Sequence, residues 1–184
     1  MKLLLHTCCA PCSIQCVEAL NGESISPDLY WFNPNIHPYT EYHSRLGSLC
    51  DFAGEKKLSL TVEGEYALRS FINPVETGMT AQRCAFCYRL RLEKTARFAL
   101  ENNYDLFSTT LLISPYQDHE LIRQIGEEHA AAHGIKFLYR DFRPFFREGQ
   151  SKARSAGYYM QKYCGCIYSE EDRYAVKQTS KEKP

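Results

Sequence analysis

Lys2-Leu3-Leu4-Leu5-His6-Thr7-Cys8-Cys9-Ala10-Pro11-Cys12 is the stretch whose reading decides how this chain folds. An unbroken apolar run bounded by polar residues reads as a short strand buried on both faces, the habit of parallel sheets. Pro11 suits the first turn of a helix, where its missing N–H is no loss, and that helix is expected to run to about Leu20. The vicinal cysteines therefore stand where a strand hands over to a helix.

Working outward, residues 28–32 read as a second strand, stopped by Asn33-Pro34-Asn35. Residues 38–57 have a helical pattern and 58–62 read as a short third strand. A long helix is expected over 81–102, a strand over 106–112, a helix over 116–133 closed by Gly134, and a last strand over 136–139. Strands separated by helical segments imply right-handed βαβ units. The expectation is a single α/β domain over residues 1–176, a mainly parallel sheet flanked by helices, with a polar C-terminal tail at 177–184. Open sheets of this kind bind ligands beyond the carboxyl ends of their strands. Cys8, Cys9, Asn33, Ser108 to Thr110 and Asp141 all fall at that edge.

The chain has 184 residues and is 44% hydrophobic, enough for one domain with a sizeable core. Its 22 basic and 22 acidic residues cancel, so any nucleic-acid footprint must be a local basic face. The first apolar run is too short for a signal peptide, and no later segment approaches a membrane span. A soluble, cytoplasmic protein with reduced thiols is expected. Nine cysteines cannot all pair, and a disulfide framework suits smaller secreted chains. Thirteen tyrosines and ten phenylalanines leave some rings free to stack on flat substrates.

Seven cysteines fall into three groups. Cys8 and Cys9 sit before a helix N-terminus, which favours thiolate. Cys12 has ligand spacing from them, and equally the spacing of a small packed residue; Cys16 and Cys50 read as core. Cys84 and Cys87 form a Cys-x-x-Cys unit that serves zinc, iron–sulfur clusters or thiol exchange. Two thiols from each segment make four. A vicinal pair is awkward on one zinc ion and easier on a cluster offering separate irons, which favours iron–sulfur. Cys164-Gly165-Cys166 could close a small, strained, readily reduced disulfide ring, could remain two free thiols, or could add metal ligands.

Leu4-Leu5-His6-Thr7-Cys8-Cys9-Ala10-Pro11-Cys12, Asn33-Pro34-Asn35-Ile36-His37-Pro38, Arg83-Cys84 to Cys87-Tyr88-Arg89-Leu90-Arg91, Phe107-Ser108-Thr109-Thr110-Leu111, Asp141-Phe142-Arg143 and the segment from Gln161 to Cys166 together resemble the QueH family of cobalamin-independent epoxyqueuosine reductases. The resemblance implies reduction and deoxygenation of epoxyqueuosine to queuosine at the wobble position of tRNA. It implies a 4Fe–4S cluster on Cys8, Cys9, Cys84 and Cys87, an additional iron for which Cys12 is a candidate ligand, and a redox-active Cys164/Cys166 pair. It also implies a fold like that of the nucleotide-binding ATP pyrophosphatases, although no glycine-rich phosphate loop is present and ATP is not expected.

Deoxygenation needs two electrons and a proton donor, for which Asp141, His6 and Tyr163 are candidates. Arg83, Arg89, Arg91 and Arg143 could meet tRNA phosphates, as could a basic face of Lys152, Arg154, Lys162 and Arg143. Asn33, Tyr42, Tyr88 and Tyr116 could bind or stack on the modified base. The electron donor is not legible. Two rival functions use the same residues: a zinc-stabilised nucleic-acid-binding module, and a metal-free thiol–disulfide oxidoreductase.

Overall fold

A computed structural model describes residues 1–76 and 82–179. Its centre is β1 (Leu3–His6), in which Leu3, Leu4 and Leu5 are all buried, as expected of a strand covered on both faces. β2 (Pro27–Trp31) and β4 (Leu106–Thr109) pair with it in parallel on either side, Leu5 lying opposite Leu29 and Ser108. β3 (Leu60–Val62) and β5 (Lys136–Phe137) form the edges, giving the order β3-β2-β1-β4-β5 with every pairing parallel. The chain order reverses at β1, so the crevice beyond its carboxyl end is the switch point of a doubly wound parallel sheet.

Helices α1 (Ala10–Gly22), α2 (Tyr39–Lys56), α3 (Leu68–Glu76), α4 (Arg83–Glu101), α5 (His119–His133), α6 (Phe146–Ser155) and α7 (Ile167–Thr179) complete one α/β domain. None among the described residues is long and apolar enough to cross a membrane. Pro11 lies in the first turn of α1 as expected, and Asp118, accepting from the Leu121 amide, starts α5 two residues after Tyr116. The expected strand over 106–112 stops at Thr109, because Thr109 Oγ1 accepts the Leu111 amide and turns the chain into a 3-10 helix, Thr110–Ile113. The last strand is also shorter than expected, ending at Phe137.

α3, α6 and α7 are elements that the sequence reading does not include. α6 buries only Gly149 and Ala153. A Cβ at Gly149 would lie 3.1 Å from the Pro11 carbonyl oxygen, so glycine lets α6 seat against the start of α1. α7 runs through Thr179, three residues into the expected tail; residues 180–184 lie outside those described. Cys16 is fully buried, but Cys50 is exposed, which corrects its reading as core. The inward face of α2 is built instead from Glu41, Arg45, Ser48, Leu49 and Phe52.

His37, in the loop between β2 and α2, is fully buried, with its ring against those of Tyr66 and Phe71 and its carbonyl accepting from Tyr163. Burial lowers its pKa to about 4, the Pro34 backbone opposing. The unfolded chain takes up a proton near pH 6.5 and the folded one does not until about pH 4, so this contribution is complete above pH 6.5 and is lost as pH falls toward 4. Urea unfolding should show a free energy at pH 4.5 lower by about 1 to 3 kcal/mol than at pH 7. His37→Gln should remove its share of that dependence and no more; an unaltered pH profile in the variant would refute the assignment.

Candidate metal and active site

The first turn beyond β1 gathers three buried sulfurs: Cys8, Cys9 and Cys12 Sγ all lie within 4.8 Å of one another. Cys9 occupies the N-cap of α1 with extended backbone, and its carbonyl accepts the Ser13 hydroxyl at 2.8 Å. Asn33 Nδ2 donates to the Thr7 carbonyl at 2.8 Å and secures the strand end. Gln161 Nε2 reaches Cys9 Sγ at 3.0 Å and Cys12 Sγ at 3.5 Å. Hydrogen bonds from Cys12 and Cys9, with Arg45 and Arg91 nearby, push the Cys8 thiol well below its usual range. Burial pushes Cys9 well above its usual range, and hydrogen bonding with Cys8 and Cys9, then burial, does the same for Cys12. Three soft ligands converging on one point could hold a metal ion. Cys12 thus belongs with the vicinal pair, a choice its spacing left open.

Cys84 and Cys87 sit on the first turn of α4, outside that triad. Cys84 is exposed, while Cys87 is buried with Phe71 and Val75, and Cys166 and Tyr168 pack beside it. Burial pushes the Cys87 thiol up to about 12, opposed by Arg91 and reinforced by Cys164, Cys166 and Cys84. Cys164 is exposed and Cys166 half-buried, both as free thiols on either side of Gly165 at φ 134°. Tyr88 is buried and donates to Gln117 Oε1 at 2.8 Å, and Gln117 Nε2 donates to Cys164 Sγ at 3.5 Å. Tyr88 therefore supports the Cys164 thiol from below and presents no ring for stacking.

Arg91 ties these groups together. Only 2% exposed, it cannot meet phosphate from solvent, correcting its reading as a tRNA contact. Its Nε donates to the Cys87 carbonyl at 3.2 Å, Nη2 has no partner among the described residues, and no carboxylate there pairs with it. Burial alone would lower its pKa, yet Cys87, Cys164 and Cys8 raise it. Of these sulfurs only Cys8 is pushed toward thiolate, so in the metal-free protein it is the one anionic neighbour among them, Cys87 and Cys164 being held as thiols.

The triad opens into a cavity of about 890 Å³ whose wall includes Cys8, Cys12 and Cys164. Arg45, Arg147, Arg154, Lys162 and Arg173 also line it, and no carboxylate among the described residues does. Tyr116 stands exposed at the rim, edge-on to Phe146. Of the expected basic residues only Arg154 and Lys162 face this space. Arg83 pairs with Asp172, Arg89 with Glu128, Arg143 with Asp141, and Lys152 with Glu18 and Glu148. Tyr42 is buried with its hydroxyl accepting from Trp31, so it too is removed from stacking. Arg45, Arg147 and Arg173 are not singled out by the sequence; the Glu41/Arg45 spacing was the one available signal.

The proton-donor candidates fare unequally. Asp141 lies outside the cavity wall, and two hydrogen bonds from the Arg143 side chain hold its carboxyl at about 2, so it carries no proton at neutral pH. His6 is a satisfied core residue, bonded to Thr109 Oγ1 at 3.0 Å and the Phe32 carbonyl at 3.2 Å, with burial lowering its pKa to about 4. Tyr163 lines the cavity, but its hydroxyl is spent on the His37 carbonyl. Asn33 is buried, its Nδ2 committed to the Thr7 carbonyl.

A doubly wound sheet with buried thiols at its switch point, opening into a cation-walled cavity, defines an α/β enzyme built around reactive or metal-binding cysteines. A family profile described as Epoxyqueuosine reductase QueH matches residues 3–172, and the chain belongs to that family of oxidoreductases. It is 35% identical to an epoxyqueuosine reductase QueH of Dehalococcoides mccartyi, over 94% of each chain. A Thermotoga maritima relative of the same description is 32% identical, over 91% of this chain and 89% of its own. Among solved structures, a predicted subunit of a tRNA methyltransferase from Methanocaldococcus jannaschii matches with a TM-score of 0.53 at 12% identity, covering 98% of this chain and 88% of that one. That likeness concerns the fold alone.

Proposed function

We propose that the protein reduces epoxyqueuosine in tRNA to queuosine, acting in the cytoplasm with an electron donor of unidentified kind. The observation that carries this reading is the cavity: thiols at its base, four exposed cations (Arg147, Arg154, Lys162 and Arg173) on its wall and, among the described residues, no carboxylate there. Such a wall favours a polyanionic substrate, and the exposed Tyr116 ring offers a stacking surface at its mouth. Epoxide deoxygenation balances with a dithiol: epoxide plus two thiols gives alkene, water and a disulfide. Cys164 and Cys166 are suited to that role, since glycine between them permits closure and Cys164 faces the cavity. A donor then returns the disulfide to two thiols.

The residues present fit an iron–sulfur cluster. A buried guanidinium without a carboxylate needs anionic company; of the sulfurs around Arg91 only Cys8 is pushed toward thiolate, and metal binding would make a thiolate of Cys87 as well. Cys8, Cys9, Cys84 and Cys87 would hold a 4Fe–4S cluster, with Cys12 a ligand for an additional iron. Such a group supplies one-electron transfer when bound. Around it, Arg45 and Arg91 offset negative charge, Gln161 donates to the Cys9 and Cys12 sulfurs, and Arg147, Arg154 and Lys162 hold the tRNA backbone.

Anaerobically purified protein, given epoxyqueuosine-bearing tRNA and a chemical reductant, should yield queuosine by nucleoside mass spectrometry; iron-loaded protein that converts none would refute the reading. A binding measurement tests the wall separately. Arg147→Glu/Arg154→Glu should weaken tRNA binding about tenfold or more and lower the slope of its salt dependence by roughly one unit for each phosphate no longer neutralised. Unchanged affinity and slope would place the tRNA elsewhere.

A further inference from the structure

Residues 156–166, between α6 and α7, form neither helix nor strand, yet they carry Gln161, Lys162 and Cys164 into the cavity wall. An irregular segment has no internal ladder to fix its side chains. Here the fixing comes from one face of α2. Ser48 Oγ accepts the Tyr159 amide at 3.0 Å, and Glu55 accepts the Tyr158 hydroxyl. Glu41 Oε2 accepts the Tyr159 hydroxyl while its Oε1 takes Arg45 Nε at 2.7 Å. Arg45 then spends both remaining nitrogens on the segment, Nη1 donating to the Cys164 carbonyl at 3.0 Å and Nη2 to that of Tyr163 at 2.9 Å. Positions 41, 45, 48 and 55 follow helical spacing, so a single stripe grips the segment from Tyr158 to Cys164.

The loop before α2 closes the other side. The His37 amide donates to the Gly165 carbonyl at 2.8 Å, and Tyr163 returns a bond to the His37 carbonyl. A Cβ at residue 165 would lie 3.2 Å from Arg45 Nη1 and 3.2 Å from Ile36 Cγ1, so the approach requires glycine twice over, by space and by φ. Arg45 is 1% exposed, and burying an ion pair is a costly way to hold a core that apolar side chains could fill. Its planar fork does what they cannot, fixing two successive carbonyls in direction.

We propose that Arg45 is a positioning residue for the Cys164-Gly165-Cys166 segment, anchored by Glu41 and holding Cys164 against the cavity that Cys8 and Cys12 also line. The inference rests on the reading that Cys164 takes part in the reduction. Arg45→Met keeps the length and removes the fork. Amide exchange in peptides covering 158–166 should then quicken about tenfold or more, with β1 and α4 unchanged. Turnover on epoxyqueuosine tRNA should fall in kcat by about 100-fold while KM stays within about threefold.

Unchanged exchange, exchange quickened equally throughout the chain, or local loosening with full kcat would each overturn the proposal. Should the variant not fold, Tyr159→Phe, which removes only the bond to Glu41, must loosen the same peptides and no others, or the proposal fails. If the native enzyme reduces no epoxyqueuosine, the functional reading falls, and the exchange measurement still decides whether Arg45 holds the segment.

Discussion

Cys8→Ser is expected to strip most of the iron from anaerobically purified protein and to abolish epoxyqueuosine reduction, whereas Cys50→Ala leaves both unchanged. Cys8 is the thiol of the buried triad that its neighbours push toward thiolate, and thiolate is the form that binds metal. Serine keeps the size but offers a hard oxygen that stays protonated, a poor replacement for a soft sulfur ligand. Cys50 lies exposed on the outer face of α2 and shares nothing with the site. Iron analysis and the visible spectrum give the readout. Cys12→Ser adds a finer distinction: partial iron loss with a retained cluster spectrum fits a ligand of the additional iron, and complete loss makes Cys12 a cluster ligand. Stoichiometric zinc in fully active protein would overturn the iron assignment.

Arg91→Met should have effects of opposite sign in the stripped and the loaded protein. Without metal, the buried guanidinium has an unpartnered nitrogen and no carboxylate among the described residues, so its desolvation is poorly offset and an apolar side chain of similar length should stabilise the stripped protein. With metal bound, the same change removes a cation from among anionic sulfurs. Iron should then dissociate faster to a chelator, and the reduction potential should fall, because a reduced, more negative site loses stabilisation. Denaturant unfolding of the chelated protein and redox titration of the loaded one test the two halves. Destabilisation of the stripped protein with an unmoved potential would show Arg91 to be an ordinary core residue.

The pairing of residues far apart in sequence explains where the arginine readings went astray. Arg83, Arg89, Arg91 and Arg143 share helical or motif surroundings that look alike in one dimension. Three are neutralised by Asp172, Glu128 and Asp141, and the fourth is buried among sulfurs. Arg147 and Arg173 drew no notice, yet they face the cavity. Cys50 failed for a related reason. Reading α2 by its apolar residues misses an inward face that is partly charged, with Glu41 and Arg45 turned toward the C-terminal segment rather than toward water.

Local chemistry was enough for much of the architecture. The apolar run of β1, the proline of α1, the Asp118 cap and the Gly134 terminus of α5 act within a few residues, so the alternation of strands and helices, the parallel sheet and the placement of Cys8 and Cys9 at its carboxyl edge follow from sequence alone. The same holds for the three cysteine groups, whose spacings are themselves local. Which groups meet is a different matter. Cys12 joins Cys8 and Cys9 because the helix turn points it back at them, and Cys87 and Cys164 share a field with Cys8 because α4 and the 156–166 segment converge on Arg91. The meetings of Cys8, Cys87 and Cys164 span more than 70 residues of chain, and only packing, burial and the satisfaction of buried charge could choose them.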